Sequence, residues 1–124
     1  MVIPEEVRAD LRAHAREALP GEACGVVVFR DGVAVRYVRG ENGSESDFRF
    51  ALKIDPEVFY LEDEGFETAI FHSHPETAPR PSRTDVEHIG LWEGKPYLIM
   101  TGTSGELAGW RIERGEVSPL PVSA

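Results

Sequence analysis

The sequence predicts an α/β (α+β) domain: a mixed, largely antiparallel β-sheet with helices on both sides. Three observations carry this expectation. Apolar, β-prone runs follow one another across tight-turn dipeptides, Asp31-Gly32 and Arg114-Gly115, which is the pattern of hairpins. Segments with helical spacing and helix-start residues lie between the strand runs. Hairpins dominate the connections, which argues against a doubly wound parallel sheet.

The elements follow in order. Pro4 suits a first helical turn, Glu5 and Glu6 complement its positive end, and Val7, Leu11, Ala15, Ala18 and Leu19 form one apolar stripe before Pro20-Gly21 ends it. His14 lies among charged neighbours and is expected at the surface. Residues 23–30 are almost wholly apolar and predict a central strand, while residues 33–39 alternate and predict a strand with one wetter face. A polar loop is expected over 41–46, followed by a short strand near 48–52. Asp55-Pro56 reads as a cap and first turn of a helix through Val58, Phe59 and Leu61 that ends near Gly65. A strand through Ile70 and Phe71 leads to His72 and His74, with Ile70 on the histidine face. Ser82 opens a helix over 82–92, residues 95–102 form a buried strand, and residues 106–122 a final hairpin. The whole of 1–124 is expected to be a single domain, with 119–124 an edge or a loose tail.

Composition narrows the function classes. With 41% hydrophobic and 28% charged residues the chain reads as a soluble globular protein. A net charge of −9 disfavours nucleic acid, which needs a basic surface, and fits a partner presenting a basic face or tail. No apolar run approaches the roughly 20 residues of a membrane span. The start, M-V-I-P-E-E-V, has neither a basic nor an apolar signal region, and the lone Cys24 permits no internal disulfide, so the expected compartment is the cytoplasm.

The chemistry concentrates in residues 70–89. His72 and His74 are two apart on a strand and therefore share a face. A loop broken by Pro75, Pro79 and Pro81 can fold back to bring Asp85 to them. Two imidazoles and a carboxylate suit Zn²⁺ with a water in the fourth position, the layout of a catalytic site. Ser82-x-x-Asp85 also reads as a capping box, and an aspartate in the first helical turn can serve both purposes. A hydrolytic site further requires a base that is not a ligand. Glu22, at the mouth of the central strand, is the candidate; a solvated loop carboxylate is the plainer reading. Cys24 is expected to pack in the strand, although a nucleophile or a fourth ligand is the alternative, and His88 stands either behind the metal or at the surface.

Glu22, H-S-H-P over 72–75, Ser82 and Asp85 together closely resemble the signature of the JAMM (MPN+) metallopeptidases, a distant Glu followed by His-[Ser/Thr]-His-x7-Ser-x2-Asp. The resemblance extends over residues 1 to about 113. It implies a cytidine-deaminase-like JAMM/MPN fold, with Zn²⁺ on His72, His74 and Asp85. It further implies Glu22 as general base and proton donor to the leaving amine, and Ser82 as hydrogen-bond donor to the oxyanion. The compact chain looks like the small stand-alone prokaryotic members. That implies a zinc peptidase or isopeptidase cleaving after the C-terminal Gly-Gly of a ubiquitin-like sulfur-carrier protein. Residues 41–50 and 76–81 are the expected walls of the groove for that tail. Two other classes stay open. A zinc hydrolase of small peptides or amides would cut short substrates as well. A non-catalytic binding module for a ubiquitin-like protein would capture the carrier with or without metal. Oligomeric state is not legible.

Overall fold

The structure, a computed structural model, describes residues 1–44 and 51–124. Helix α1 (Glu5–Ala18) begins one residue after Pro4, which stands just outside it in extended geometry. It buries Val7, Leu11 and Ala15, the predicted stripe. Strands β1 (Cys24–Arg30) and β2 (Val33–Arg39) form the first hairpin. Asp31 and Gly32 both take positive φ there, which is why an Asp-Gly pair suits this turn. A register shift at Val28/Phe29 breaks the alternation of β2, so Val35 is half exposed although apolar.

Short strands β3 (Glu41–Asn42) and β4 (Leu52–Lys53) pair with each other. The expected loop therefore begins with two paired residues, and most of the strand expected at 48–52 lies outside the described residues. Asp55 caps a 3₁₀ helix over Pro56–Glu64 by accepting from the Glu57 N–H, and Gly65 ends it with φ of 91°. Strands β5 (Glu67–His74), β6 (Tyr97–Thr101), β7 (Leu107–Glu113) and β8 (Glu116–Leu120) complete the main sheet.

The sheet runs β2-β1-β5-β6-β7-β8. Only β5 and β6 are parallel, so the sheet is mixed and largely antiparallel as expected. On one face α1 packs Val7 and Leu11 against Val27, Phe29, Phe71, Leu98 and Met100. On the other, Val58, Val86, Ile89 and Trp92 cover Val26, Ile70, Tyr97 and Ile99. Each fully covered side chain of this size stabilises by about 1.5–3 kcal/mol, which is what holds the two layers to the sheet.

Two local expectations need correction. His14 is half buried, its Nδ1 2.7 Å from the Tyr37 hydroxyl, because it borders the apolar stripe and faces β2. The helix expected over 82–92 is a five-residue helix α2 (Arg83–Glu87) followed by a 3₁₀ turn over Gly90–Trp92; Gly90 breaks it with φ of 49°. At the C-terminus, expected to be an edge or a loose tail, the edge is formed. Leu120 ends β8, and Ser123 exchanges backbone hydrogen bonds with Met1 and Ile3. Among the described residues no helix is long and apolar enough to cross a membrane.

Candidate metal centre and active site

Strand β5 delivers the two histidines from the centre of the sheet. His72 lies opposite Cys24 of β1 and Ile99 of β6, and His72 and His74 are 0% and 4% exposed. Ile70 shares their face and Phe71 packs on the other, as the alternation requires. After Pro75 the chain leaves the sheet, and three consecutive carbonyls of the loop are held by side chains from the strands. Thr101 Oγ1 donates to Thr77 O at 2.7 Å and Trp110 Nε1 donates to Pro79 O at 2.8 Å. Between them, His74 Nδ1 lies 2.9 Å from Ala78 O. That bond directs the Nδ1 proton toward the carbonyl, so a neutral ring presents the lone pair of Nε2 to the site.

The pinned loop ends at Ser82, the cap of α2. Ser82 Oγ accepts the Asp85 N–H at 3.1 Å, and Asp85 Oδ2 accepts the Ser82 N–H at 2.8 Å. The capping box is therefore formed, and it fixes the Asp85 carboxylate facing the histidines, the position a ligand would need. Asp85 Oδ2 is 3.0 Å from His74 Nε2, Oδ1 is 3.3 Å from His72 Nε2, and the two Nε2 atoms are 3.2 Å apart. Glu22 comes in from the mouth of β1, with Oε1 3.8 Å from His72 Nε2. All four side chains are buried, and their ligand atoms lie within 4.8 Å of one another.

These distances fit a metal. Zinc–nitrogen bonds of about 2.0–2.1 Å in a tetrahedron place ligand atoms about 3.3–3.4 Å apart, near the three separations observed. Two lone-pair nitrogens and a carboxylate oxygen held this close repel unless a cation or a proton stands among them. Glu22 has a different character: its Oε1 is buried and accepts no hydrogen bond among the described residues.

Charge in the metal-free site follows from these contacts. Burial, then the neighbouring Asp85, pushes the Glu22 carboxyl up to about 8, with His74 opposing. Burial also works against ionised Asp85, but hydrogen bonds from His72, His74 and the Ser82 N–H outweigh it and hold the group well below the carboxylate range. Full burial pushes His72 down. His74 is also penalised by burial, yet Asp85 and the Ala78 carbonyl carry it upward. A site with one base raised and one carboxylate held ionised is suited to acid–base work beside a metal.

Burial, then Glu22, pushes the Cys24 thiol up to about 12, which leaves it unreactive in the strand. His88 is exposed at the end of α2. The cavity over the site is lined by Leu19, Pro20, Glu22, His74, Glu76 and Ser82, with Thr77, Thr84 and Thr103 around them. Glu76 and Thr77 thus form one wall as expected. Among the described residues the opposite wall is the α1–β1 turn, not the 41–50 segment, whose residues 45–50 lie outside the description. Thr101 and Trp110, which pin the loop, carried no signal in the sequence.

Residues 4–113 match the family of prokaryotic homologs of the JAB domain. A desampylase from Haloferax volcanii is 34% identical over 105 residues, covering 76% of this chain and 75% of that protein. A CysO-cysteine peptidase from Mycobacterium tuberculosis is 33% identical over 129 residues, covering 94% of this chain and 88% of that protein. The solution structure of a protein from Desulfitobacterium hafniense superposes with a TM-score of 0.79 at 28% identity, over 98% of this chain and 90% of that one. A JAB1/MPN domain protein from Archaeoglobus fulgidus shares the fold at a TM-score of 0.63 and 19% identity, with 100% of both chains covered. With a family match across nearly its whole length and relatives a third identical to it, the chain belongs to the prokaryotic JAB-domain family.

Proposed function

We propose that this chain is a zinc-dependent peptidase or isopeptidase that cleaves after the C-terminal Gly-Gly of a ubiquitin-like sulfur-carrier protein. The observation that carries the reading is the buried constellation itself. Three metal-type donors stand 3.0–3.3 Å apart, and a carboxylate oxygen of Glu22 that accepts no hydrogen bond among the described residues lies 3.8 Å from His72 Nε2. The relatives' names, desampylase and CysO-cysteine peptidase, agree with a peptidase.

In this reading His72, His74 and Asp85 hold the Zn²⁺. When bound, the zinc supplies Lewis acidity and brings the pKa of its water to about 7. Glu22 removes a proton from the attacking water and returns it to the departing amine. The Ser82 hydroxyl accepts from the Asp85 N–H, so its own proton is free to reach the oxygen that gains charge in the transition state. The exposed cavity beside Glu22 and Ser82 receives the extended tail. We place the activity in one domain over 1–124 and in the cytoplasm.

The test is cleavage of a carrier protein joined through its Gly-Gly end to a lysine side chain. Wild type should release the conjugate and Glu22→Ala or Asp85→Ala should not. Unchanged cleavage by either variant would refute the mechanism. Cleavage of short unrelated peptides at the same rate would move the substrate to small amides.

A further inference from the structure

The peptide group that follows Glu22 is held from both sides by side chains of other elements. Its carbonyl, Glu22 O, accepts from Asn42 Nδ2 at 3.0 Å. Its N–H, on Ala23, donates to Ser73 Oγ at 2.9 Å. The Ser73 N–H donates in return to Ala23 O at 3.0 Å. A hydrogen-bonded antiparallel pair ordinarily exchanges two backbone bonds. Here a hydroxyl replaces the second carbonyl, at the point where the chain enters β1.

Both clamping side chains are themselves fixed. Ser73 is 1% exposed and, lying between His72 and His74, points to the face opposite the imidazoles. Asn42 Oδ1 accepts from the N–H of Ser44 at 2.9 Å and of Ala51 at 3.0 Å. Two donors on Oδ1 settle which end of the amide is oxygen, so the NH₂ must face the Glu22 carbonyl. The carboxylate of Glu22, by contrast, has an oxygen with no hydrogen-bond partner among the described residues. Its direction depends on the backbone that carries it, and a shift of about 1 Å in a catalytic group can cost about 100-fold in rate.

We propose that Asn42 and Ser73 are positioning residues that aim the Glu22 base by clamping the Glu22–Ala23 peptide. This rests on the reading of Glu22 as the general base. Among the described residues neither side chain hydrogen-bonds to His72, His74 or Asp85, so the clamp acts on catalysis through Glu22.

The test compares Asn42→Ala, Ser73→Ala and Ser73→Thr with wild type in the zinc-loaded protein. Asn42→Ala and Ser73→Ala should lower kcat about 10- to 100-fold with KM within about twofold and zinc content unchanged. Ser73→Thr, which keeps the hydroxyl, should restore most of kcat. Hydrogen exchange of the Ala23 amide should accelerate in Ser73→Ala and return to the wild-type rate in Ser73→Thr. Crystal structures should show the Glu22 carboxylate displaced in both alanine variants while His72, His74 and Asp85 stay in place. If Ser73→Ala does not fold, the half-buried Asn42 site carries the comparison. Faster Ala23 exchange with kcat unchanged, or an undisplaced Glu22, would overturn the proposal. Absence of turnover by wild type, with Glu22 displaced in the variants, would count against the proposed activity and leave the clamp standing.

Discussion

Replacing Glu22 by Gln should make the metal-free protein more stable while abolishing turnover. The carboxyl ordinarily titrates at 4.5 and is pushed up to about 8, first by burial and then by Asp85. A carboxyl raised in the folded state binds more protons folded than unfolded. Stability is therefore unaffected below about pH 4.5, falls as pH rises toward 8, and levels off above it. At about 1.4 kcal/mol per unit, the penalty at pH 7 comes to about 3 kcal/mol, and to less than about 1 kcal/mol at pH 5. Gln has the same shape and no charge to bury, but its amide leaves polar atoms in the same confined place, which offsets part of the gain. The expected net gain is roughly 1–3 kcal/mol at pH 7. The assay is denaturant unfolding of wild type and Glu22→Gln in the presence of chelator, at pH 5 and at pH 8. The stability gap should open between the two pH values in favour of Gln. A gap that is constant with pH, or one that favours Glu at pH 8, would refute the account of burial at this position. Chelation matters because a cation bound at His72, His74 and Asp85 would favour the ionised carboxylate and remove the penalty.

Further consequences follow from the surroundings of the site. Ser82→Ala removes the cap hydroxyl from the Asp85 N–H, and unfolding should show a loss of about 1 kcal/mol. Its kcat should fall about 100-fold if the hydroxyl serves the oxyanion; a change in stability without a change in kcat would confine Ser82 to capping. Trp110→Phe keeps a ring in the apolar layer but removes the donor to Pro79 O. It should cost about 0.5–1.5 kcal/mol in denaturant unfolding and weaken zinc binding in a competition titration with a chelating dye by up to about 10-fold. Gly25→Ala would place a Cβ 2.5 Å from Val38 O and from the Tyr37 ring. A loss of about 1–3 kcal/mol, measured by thermal unfolding, is expected from forcing β1 and β2 apart.

The site was more legible than its supports because its signals are local. His72 and His74 share a face by strand alternation alone, and Ser82 and Asp85 announce themselves by capping chemistry three residues apart. Glu22 was the candidate base by its place at a strand mouth, but only the resemblance to the JAMM signature set it above an ordinary solvated loop carboxylate. The structure adds what sequence spacing could not: Glu22 buried among donors that are 50 and more residues away. The pins on the loop were invisible for a related reason. Thr101 and Trp110 act on backbone carbonyls 24 and 31 residues distant, and a carbonyl has no residue-type signature. Asn42 looked like one polar residue in a polar loop, yet it joins the ends of β3 and β4 to Glu22. Of the two alternatives for the C-terminal segment, an edge or a loose tail, the edge is the one formed, and the N-terminal residues pair with its end. Of the two expected groove walls, Glu76 and Thr77 line the cavity, the 41–50 wall lies mostly outside the described residues, and the short α1–β1 turn stands beside Glu22 as a wall that sequence did not suggest.

The central claim is that His72, His74 and Asp85 hold a zinc ion. Elemental analysis of purified wild type beside His72→Ala, each after incubation with zinc and removal of the excess, tests it most directly. The account predicts about one zinc per wild-type chain and none in the variant. A wild type that takes up no metal, or a His72→Ala protein that retains a full equivalent, would contradict it.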